Sequence, residues 1–315
     1  MTEEPSKAKT GTREWSEHSI NCCVGCSHNC VYCYARLDAR RFGRIKRASD
    51  WGHERPVSIE VASTATVYGT RYPGVVMFPT CHDITPGNKE VCLIVLGRLL
   101  RAGNRVLVVT KPHLAIMPEI VNVANAAIWD AGECATGQRY YDDTVGRSFS
   151  ASVPRSSIEV RCSVTCDDSV RRIWEPGTPS LGERIECLKF LKASGIATSV
   201  SIEPNLQPER VHRIVNLVGP FTTGEIWVGK CNKVRERTKW AFDPMHGLRK
   251  TDQLTLRAGS SWLDRCQTDE TVTIVVRRLE SGPFAEKIRW KHSYRDVIDR
   301  HRAAVPTGRQ AETPQ

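Results

Sequence analysis

The sequence predicts an α/β fold built on a parallel sheet. Two observations carry this expectation. Five short β-rich runs, "GVVMFPT", "RVLVVTK", "IEVRCSVT", "ATSVSIEP" and "EIWVGK", are apolar almost throughout, as strands buried on both faces are. Amphipathic helical patterns lie between several of them, and β-α-β-α alternation calls for crossover helices, in a barrel-like or a doubly wound arrangement.

The elements follow in order. "NKEVCLIVLGRLLRAG" predicts a helix starting at an Asn88 cap and stopping at Gly103. "SLGERIECLKFLKASG" opens with Ser180 and Glu183 at capping-box spacing and ends at Gly195. "QPERVHRIVNLVG" has Pro208 in its first turn and Gly219 past its end, with Val211, Ile214, Val215 and Val218 on one face. Residues 132–157 are small and polar and predict an insertion or loop. Beyond Asn232 the chain is more charged. There "TVTIVVRRLE" predicts a strand and "PFAEKIRWKHSYRDVIDRH" a helix, within an α+β extension over 233–304. Residues 305–315 predict a disordered tail, and 1–18 an N-terminal segment.

Composition narrows the class. Of 315 residues, 40% are apolar and 25% charged, which excludes wholesale disorder. No apolar run has the length of a membrane span, and "MTEEPSKAKTGTREW" lacks the apolar core of a secretory signal, so a cytoplasmic location is expected. The thirteen cysteines are odd in number, which fits reduced thiols better than a disulfide framework. The net charge of +10 raises nucleic acid as a partner. The densest basic stretch, "RLDARRFGRIKR", reads first as a solvated helix face.

Chemistry concentrates in "NCCVGCSHNCVYCYAR", Asn21 to Arg36, which holds five cysteines. Cys22 and Cys23 are adjacent, and adjacent cysteines rarely share one metal, so both are expected to be non-ligands. Cys23-x2-Cys26 and Cys30-x2-Cys33 are separated by three residues, a short loop for a structural zinc site. The bacterial ferredoxin spacing does not match. What remains is Cys26-x3-Cys30-x2-Cys33, three soft ligands suited to iron–sulfur chemistry.

Polar residues follow the strands: Thr80, His82 and Asp83; Thr110 and Lys111; Ser163 and Thr165; Ser201 and Glu203; Lys230 and Asn232. Parallel α/β folds bind ligands beyond the carboxyl ends of their strands, so five such ends together predict a site.

"GCSHNCVYCYA" as a whole, with Gly25 before the first cysteine and Tyr32 and Tyr34 around the last, resembles the radical SAM superfamily. Within it the chain looks like the spore photoproduct lyase-like branch, through "MFPTCHDITPGN", "NRVLVVTKPH", "VRCSVT", "WEPGTPSLGERIECLKFLKASGIATSVSIEPN", "GEIWVGKCNKVR" and "IRWKHSYRDVI". The resemblance implies a partial (β/α)6 TIM-like barrel over 19–232, with its first strand around Ser19 to Val24 and its first helix in "VYCYARLDARRFGRI". It implies a [4Fe-4S] cluster on Cys26, Cys30 and Cys33 whose fourth iron chelates S-adenosylmethionine (SAM). A reducing partner such as flavodoxin or ferredoxin would supply the electron that releases a 5′-deoxyadenosyl radical. Tyr32 would contact the adenine, and His82 and Asp83 would lie near the methionine end or the ribose. Lys111 would meet the carboxylate, and Ser163 the methionyl or ribose portion. Glu203 would bind the ribose or the amino group.

One departure concerns the hydrogen donor. In the lyase a cysteine after the second strand returns a hydrogen atom. Here Cys81 falls one position late and Thr80 takes that place, so Cys81 would serve only if the strand end is irregular.

Two rival classes remain at this stage. One is a nucleic-acid-binding protein with a structural zinc or iron–sulfur cysteine cluster. The other is a thiol redox protein using Cys23-x2-Cys26 or Cys30-x2-Cys33.

Overall fold

The β-rich runs pair side by side in one sheet. A computed structural model of the chain describes residues 9–58, 68–130, 157–242 and 250–304. The strands are β1 (His18–Ser19), β4 (Val75–Phe78), β5 (Arg105–Thr110), β6 (Ile158–Ser163), β7 (Ala197–Ile202), β8 (Ile226–Val228) and β9 (Ile288–Trp290), all parallel and paired in that order. A separate antiparallel pair joins β2 (Cys23–Val24) to β3 (Arg55–Pro56). β1 and β9 are the edges of the large sheet and do not meet, so the barrel is partial.

The helices are α1 (Tyr34–Arg41), α2 (Lys89–Arg101), α3 (Met117–Asp130), α4 (Asp168–Trp174), α5 (Leu181–Ala193), α6 (Val211–Val218), α7 (Val234–Thr238), α8 (Lys250–Arg265), α9 (Asp269–Glu280) and α10 (His292–Ala304). Their punctuation follows the sequence. Gly103 and Gly195 hold φ of +78° and +75° just past α2 and α5, which only glycine adopts freely. Ser180 Oγ accepts from Glu183 N at the start of α5.

Strand alternation separates core from interior. Val160, Cys162, Val200 and Ile202 point outward into the apolar layers under the helices. Arg161, Ser163, Ser199 and Ser201, paired across β6 and β7, point the other way. The Arg161 guanidinium donates to Ser199 Oγ at 2.8 Å and lies over Trp15 and Trp227, filling the barrel floor.

Four expectations change. "TVTIVVRRLE" is helix α9, not a strand. Thr268 caps it by accepting from Thr271 N, and Val272, Val275, Val276 and Leu279 form a helical-period stripe into the core. Asp269 and Glu270 in its first turn and Arg277 and Arg278 in its last suit the helix dipole. "PFAEKIRWKHSYRDVIDRH" splits into the short strand β9 and helix α10, so residues from 233–304 supply a seventh strand. The first strand is shorter than expected. His18–Ser19 enters the sheet while Cys23–Val24 turns away to pair with β3, and α1 starts only at Tyr34. Arg36, read as part of a solvated face, is buried, whereas Arg40, Arg41, Arg44, Lys46 and Arg47 are exposed. The loop expectation at 132–157 lies outside the described residues apart from buried Ser157, and the tail expectation at 305–315 lies wholly outside them. Among the described residues no helix is long and apolar enough to cross a membrane.

Candidate functional site

The cysteine loop owes its shape to close backbone approaches. Gly25 sits at φ +98°, and a Cβ there would lie 2.3 Å from the His53 carbonyl oxygen. That approach lets Cys26 N donate to Trp51 O at 2.8 Å. Gly177 performs the same service from the other side, since its Cβ would fall 2.3 Å from Ser27 O. Val31 N donates to Trp174 O, and Cys33 caps α1. The loop is thus clamped between the Ala48–Gly52 turn and the end of α4.

Cys26, Cys30 and Cys33 line one cavity of about 510 Å³ at the carboxyl ends of the strands. Tyr32, Cys81, His82, Asp83, Lys111, Ser163 and Glu203 line it too, together with His28, Tyr34, Ser201 and Arg237. The three motif cysteines and the residues the resemblance assigns to the cofactor or to hydrogen return therefore border the same space, whereas the strand-end residues Thr110, Thr165, Lys230 and Asn232 do not line it. Cys26 and Cys30 are buried, which raises Cys26 well above the usual thiol value and pushes Cys30 up to about 12. A strong positive centre is needed to hold such thiols as thiolates.

Two cations answer that need in part. Arg36 lies under the loop, stacked 3.5 Å from the Trp240 ring centroid and donating to Asn29 Oδ1. Its Nε and Nη1 are buried without a hydrogen-bond partner. Burial lowers its pKa to about 10, opposed by Cys33, Cys30 and Cys26. Orphaned guanidinium N–H groups beside three thiols fit a bound anionic group, as an iron–sulfur cluster with thiolate ligands is. Lys111 is the second cation. Its ammonium lies 5.8 Å from the Tyr32 ring centroid and makes no hydrogen bond or ion pair among the described residues. Burial works to lower its pKa, but Cys30, Glu175 and Asp83 outweigh this and hold it above the usual lysine value. An unpaired cation facing a cavity suits a ligand carboxylate.

The walls are fixed by buried charge. Asp83 takes donors from Thr110 Oγ1, Lys111 N (2.9 Å), Ile84 N (2.8 Å) and His28 Nδ1 (3.1 Å). Burial opposes its charge, yet His28 and Lys111 hold its carboxyl well below the usual range. With four donors, Asp83 positions Lys111 and His28. His28 Nε2 in turn meets His113 Nε2 at 2.8 Å. Tyr32 donates to Glu175, which pairs with Arg184 at 2.6 Å and accepts from Thr165 at 2.6 Å. Burial would raise Glu175, but Arg184 and Lys111 hold it at about 2. Glu203 lies 3.3 Å from Lys291, which also meets Glu14 at 3.1 Å, so the N-terminal segment that lines the cavity through Thr12, Arg13 and Trp15 is tied to the residue after β9. Burial raises Glu203.

At Cys81 the strand has already ended, because β4 stops at Phe78. Asn21 Oδ1 accepts from both Thr80 N and Cys81 N, and both residues line the cavity. The pleat that would send neighbours to opposite faces does not reach them. A second cavity of about 400 Å³ shares Glu203 and Arg237 with the first and adds Lys230, Asn232, Lys291 and Arg300.

Sequence reasoning gave no role to His28, Arg36, Glu175 or Arg184. His28 and Arg36 stand inside the cysteine stretch, and Glu175 opens "EPGTPS", so the only signal was a charged or titratable side chain within an otherwise structural segment. His82 lines the cavity, and both its ring nitrogens are engaged by backbone. Its Nδ1 faces Asp83 O at 3.1 Å, and its Nε2 accepts from Cys22 N (3.1 Å) and Cys23 N (3.2 Å).

No family model matches the chain, and no curated protein does. Solved structures do. A tyrosine-to-phenylalanine mutant of spore photoproduct lyase is similar with a TM-score of 0.50 at 13% identity, over 91% of this chain and 79% of that one. Spore photoproduct lyase complexed with dinucleoside spore photoproduct aligns with a TM-score of 0.49 at 14% identity, over 90% and 79%. The class is therefore an α/β protein with a partial TIM-like barrel. The particular fold is that of spore photoproduct lyase.

Proposed function

We propose that the chain is a radical SAM enzyme. The observation that carries this reading is the meeting of three motif cysteines, the orphaned N–H groups of Arg36 and the unpaired Lys111 ammonium around one cavity. Cys26, Cys30 and Cys33 would hold a [4Fe-4S] cluster, and SAM would occupy the adjoining space. When bound, the pair supplies a 5′-deoxyadenosyl radical able to take a hydrogen atom from a substrate.

The chain's own residues do the rest. Arg36 balances the charge of the thiolates from below. Lys111, aimed by the Asp83 carboxylate through its backbone N–H, meets the methionine carboxylate. Tyr32, pinned through its hydroxyl to Glu175, keeps a fixed ring for the adenine. Ser163 and Glu203 offer hydrogen bonds to the ribose or amino group. Asp83 and His82, whose polar atoms are already engaged by protein, shape the wall. Cys81, beside Tyr34 at the mouth of β4, is the candidate hydrogen donor to a substrate radical, with its thiol kept protonated by burial. A flavodoxin or ferredoxin would supply the electron.

The substrate would enter beside the charged second cavity. A nucleic acid substrate is favoured by the exposed run Arg40, Arg41, Arg44, Lys46 and Arg47, which leads away from α1. It predicts binding that weakens steeply with salt.

The test is anaerobic. The full chain is loaded with iron and sulfide and reduced, and its electron paramagnetic resonance spectrum is recorded with and without SAM. A reduced cubane signal altered by SAM, together with 5′-deoxyadenosine as a product, is expected. Absence of any cluster signal would overturn the reading.

A further inference from the structure

Adjacency speaks against Cys22 and Cys23 as ligands of one metal, yet the two do not stand alone. Together with Cys92 on α2 and His82 on the β4–α2 connection, they are the one group of three or more ligating side chains among the described residues whose ligand atoms all lie within 4.8 Å of one another. Cys26, Cys30 and Cys33 are not in that group. All four members are buried.

The distances can be compared with a known geometry. A tetrahedral zinc with Zn–S of about 2.3 Å and Zn–N of about 2.05 Å sets its sulfurs about 3.8 Å apart and its S···N edges about 3.6 Å. Cys22 Sγ lies 3.9 Å from Cys23 Sγ, 3.7 Å from Cys92 Sγ and 3.8 Å from His82 Nε2. Packing alone explains one such contact. It does not explain three thiols and an imidazole nitrogen all within 4.8 Å of one another.

The surroundings support the assignment. His82 Nδ1 faces the Asp83 carbonyl oxygen at 3.1 Å, so Nδ1 carries the proton and Nε2 carries the lone pair. A backbone carbonyl on the far nitrogen is the usual brace of a metal-bound histidine. Nε2 now accepts the N–H groups of Cys22 and Cys23, a contact that an ion would have to outcompete. The Cys92 thiol now donates to Asn88 Oδ1 at 3.4 Å, a bond that ends when an ion takes the proton's place. The rest of the environment is apolar, with Val76, Phe78, Val95 and Leu96 in the same layer.

We infer that Cys22, Cys23, His82 and Cys92 form a closed four-ligand site for a zinc ion. Soft thiolates with one imidazole select zinc among the common divalent cations, and four protein ligands leave no open position, which marks a structural role. The ion would staple the root of the cysteine loop to the β4–α2 connection and to α2. Binding replaces three thiol protons, which leave to solvent, with one Zn²⁺. The inference does not rest on the radical SAM reading.

The experiment measures metals in the full chain purified without oxygen. About one zinc per chain is expected. Cys30→Ala should keep that zinc while losing reconstituted iron, and Cys92→Ser should lose zinc. Cobalt substitution should give visible ligand-field bands of a tetrahedral thiolate site. His82→Cys should retain the ion and shift those bands, which decides the matter should Cys92→Ser fail to fold. Three results would overturn the site: zinc absent from the wild-type chain, zinc lost in Cys30→Ala but kept in Cys92→Ser, or a cobalt spectrum unchanged by His82→Cys. A Cys22–Cys92 disulfide in the anaerobic chain would also overturn it. Zinc absent with iron present sinks the zinc site alone. Zinc present with no cluster ever formed sinks the radical SAM reading alone.

Discussion

Cys22 and Cys23 lie within a dozen residues of Cys26, Cys30 and Cys33, yet they belong to a second set whose setting is the opposite of the first. Cys26, Cys30 and Cys33 line a cavity, number three and are ringed by charge, buried at Arg36, Asp83, Glu175 and Arg184 and half-buried at Lys111. Cys22 and Cys23, with Cys92 and His82, converge in the apolar layer under α2 and need no space beside them. An incomplete set with charges and room around it is fitted to exchange ligands. A complete set in an apolar layer is fitted to hold backbone in place.

The sharpest way to break this contrast is Cys30→Ala. If the first set is the reactive one, cluster signal and SAM cleavage fall to background, while melting temperature drops little because the second set still pins the loop. A large fall in melting temperature with cleavage retained would reverse the two roles. Gly25→Ala attacks both sets at their junction. A Cβ 2.3 Å from His53 O at a φ of +98° cannot be relieved by a side-chain rotation, so the loop must move. Iron incorporation is expected to fail in that variant.

Glu175→Gln comes next and tests the charged surroundings alone. It leaves Arg184 buried without its ion partner, a change worth roughly 3–5 kcal/mol of stability. The wild-type chain should report the same pair by pH. The folded carboxyl sits near 2, below its ordinary value of 4.5. Its stabilisation is therefore complete above about pH 4.5 and is lost as pH falls toward 2. Denaturant midpoints across that window check the sign. Midpoints that do not fall there would show that the pair adds nothing.

The two sets also differ in how far the sequence shows them. The open set was legible because its members sit at fixed short spacing, and the strands were legible because β-branched runs between helical patterns have few other readings. The closed set was not. Its members stand at 22, 23, 82 and 92, and nothing local links residues that only the sheet brings together. The α9 error has the same root in reverse. "TVTIVV" is β-branched, and local propensity yielded to a Thr268 cap and a helical stripe that packs into the apolar layer beside α6 and α10. β9 was missed because three residues inside a charged stretch carry almost no period. Arg36 read as solvent-facing because a charge run usually is, whereas Trp240, two hundred residues on, covers it.

The smallest expected effects concern the two residues that separate binding from turnover within the open set. Lys111→Met removes the unpaired ammonium without disturbing the backbone N–H that Asp83 holds. A lost charge-assisted hydrogen bond is worth about 1.5–3 kcal/mol, so SAM affinity should weaken by about 10- to 150-fold while the cluster signal in its absence stays as it was. Cys81→Ala should leave even that affinity unchanged, because it removes no charge and the backbone there stays tied to Asn21. If its thiol returns a hydrogen atom, the variant should still form 5′-deoxyadenosine but release a diverted product, read by mass spectrometry once a substrate is in hand. An unchanged product would make Cys81 a wall residue and leave Tyr34, whose hydroxyl donates to Thr80 O across the same mouth, as the nearest remaining donor.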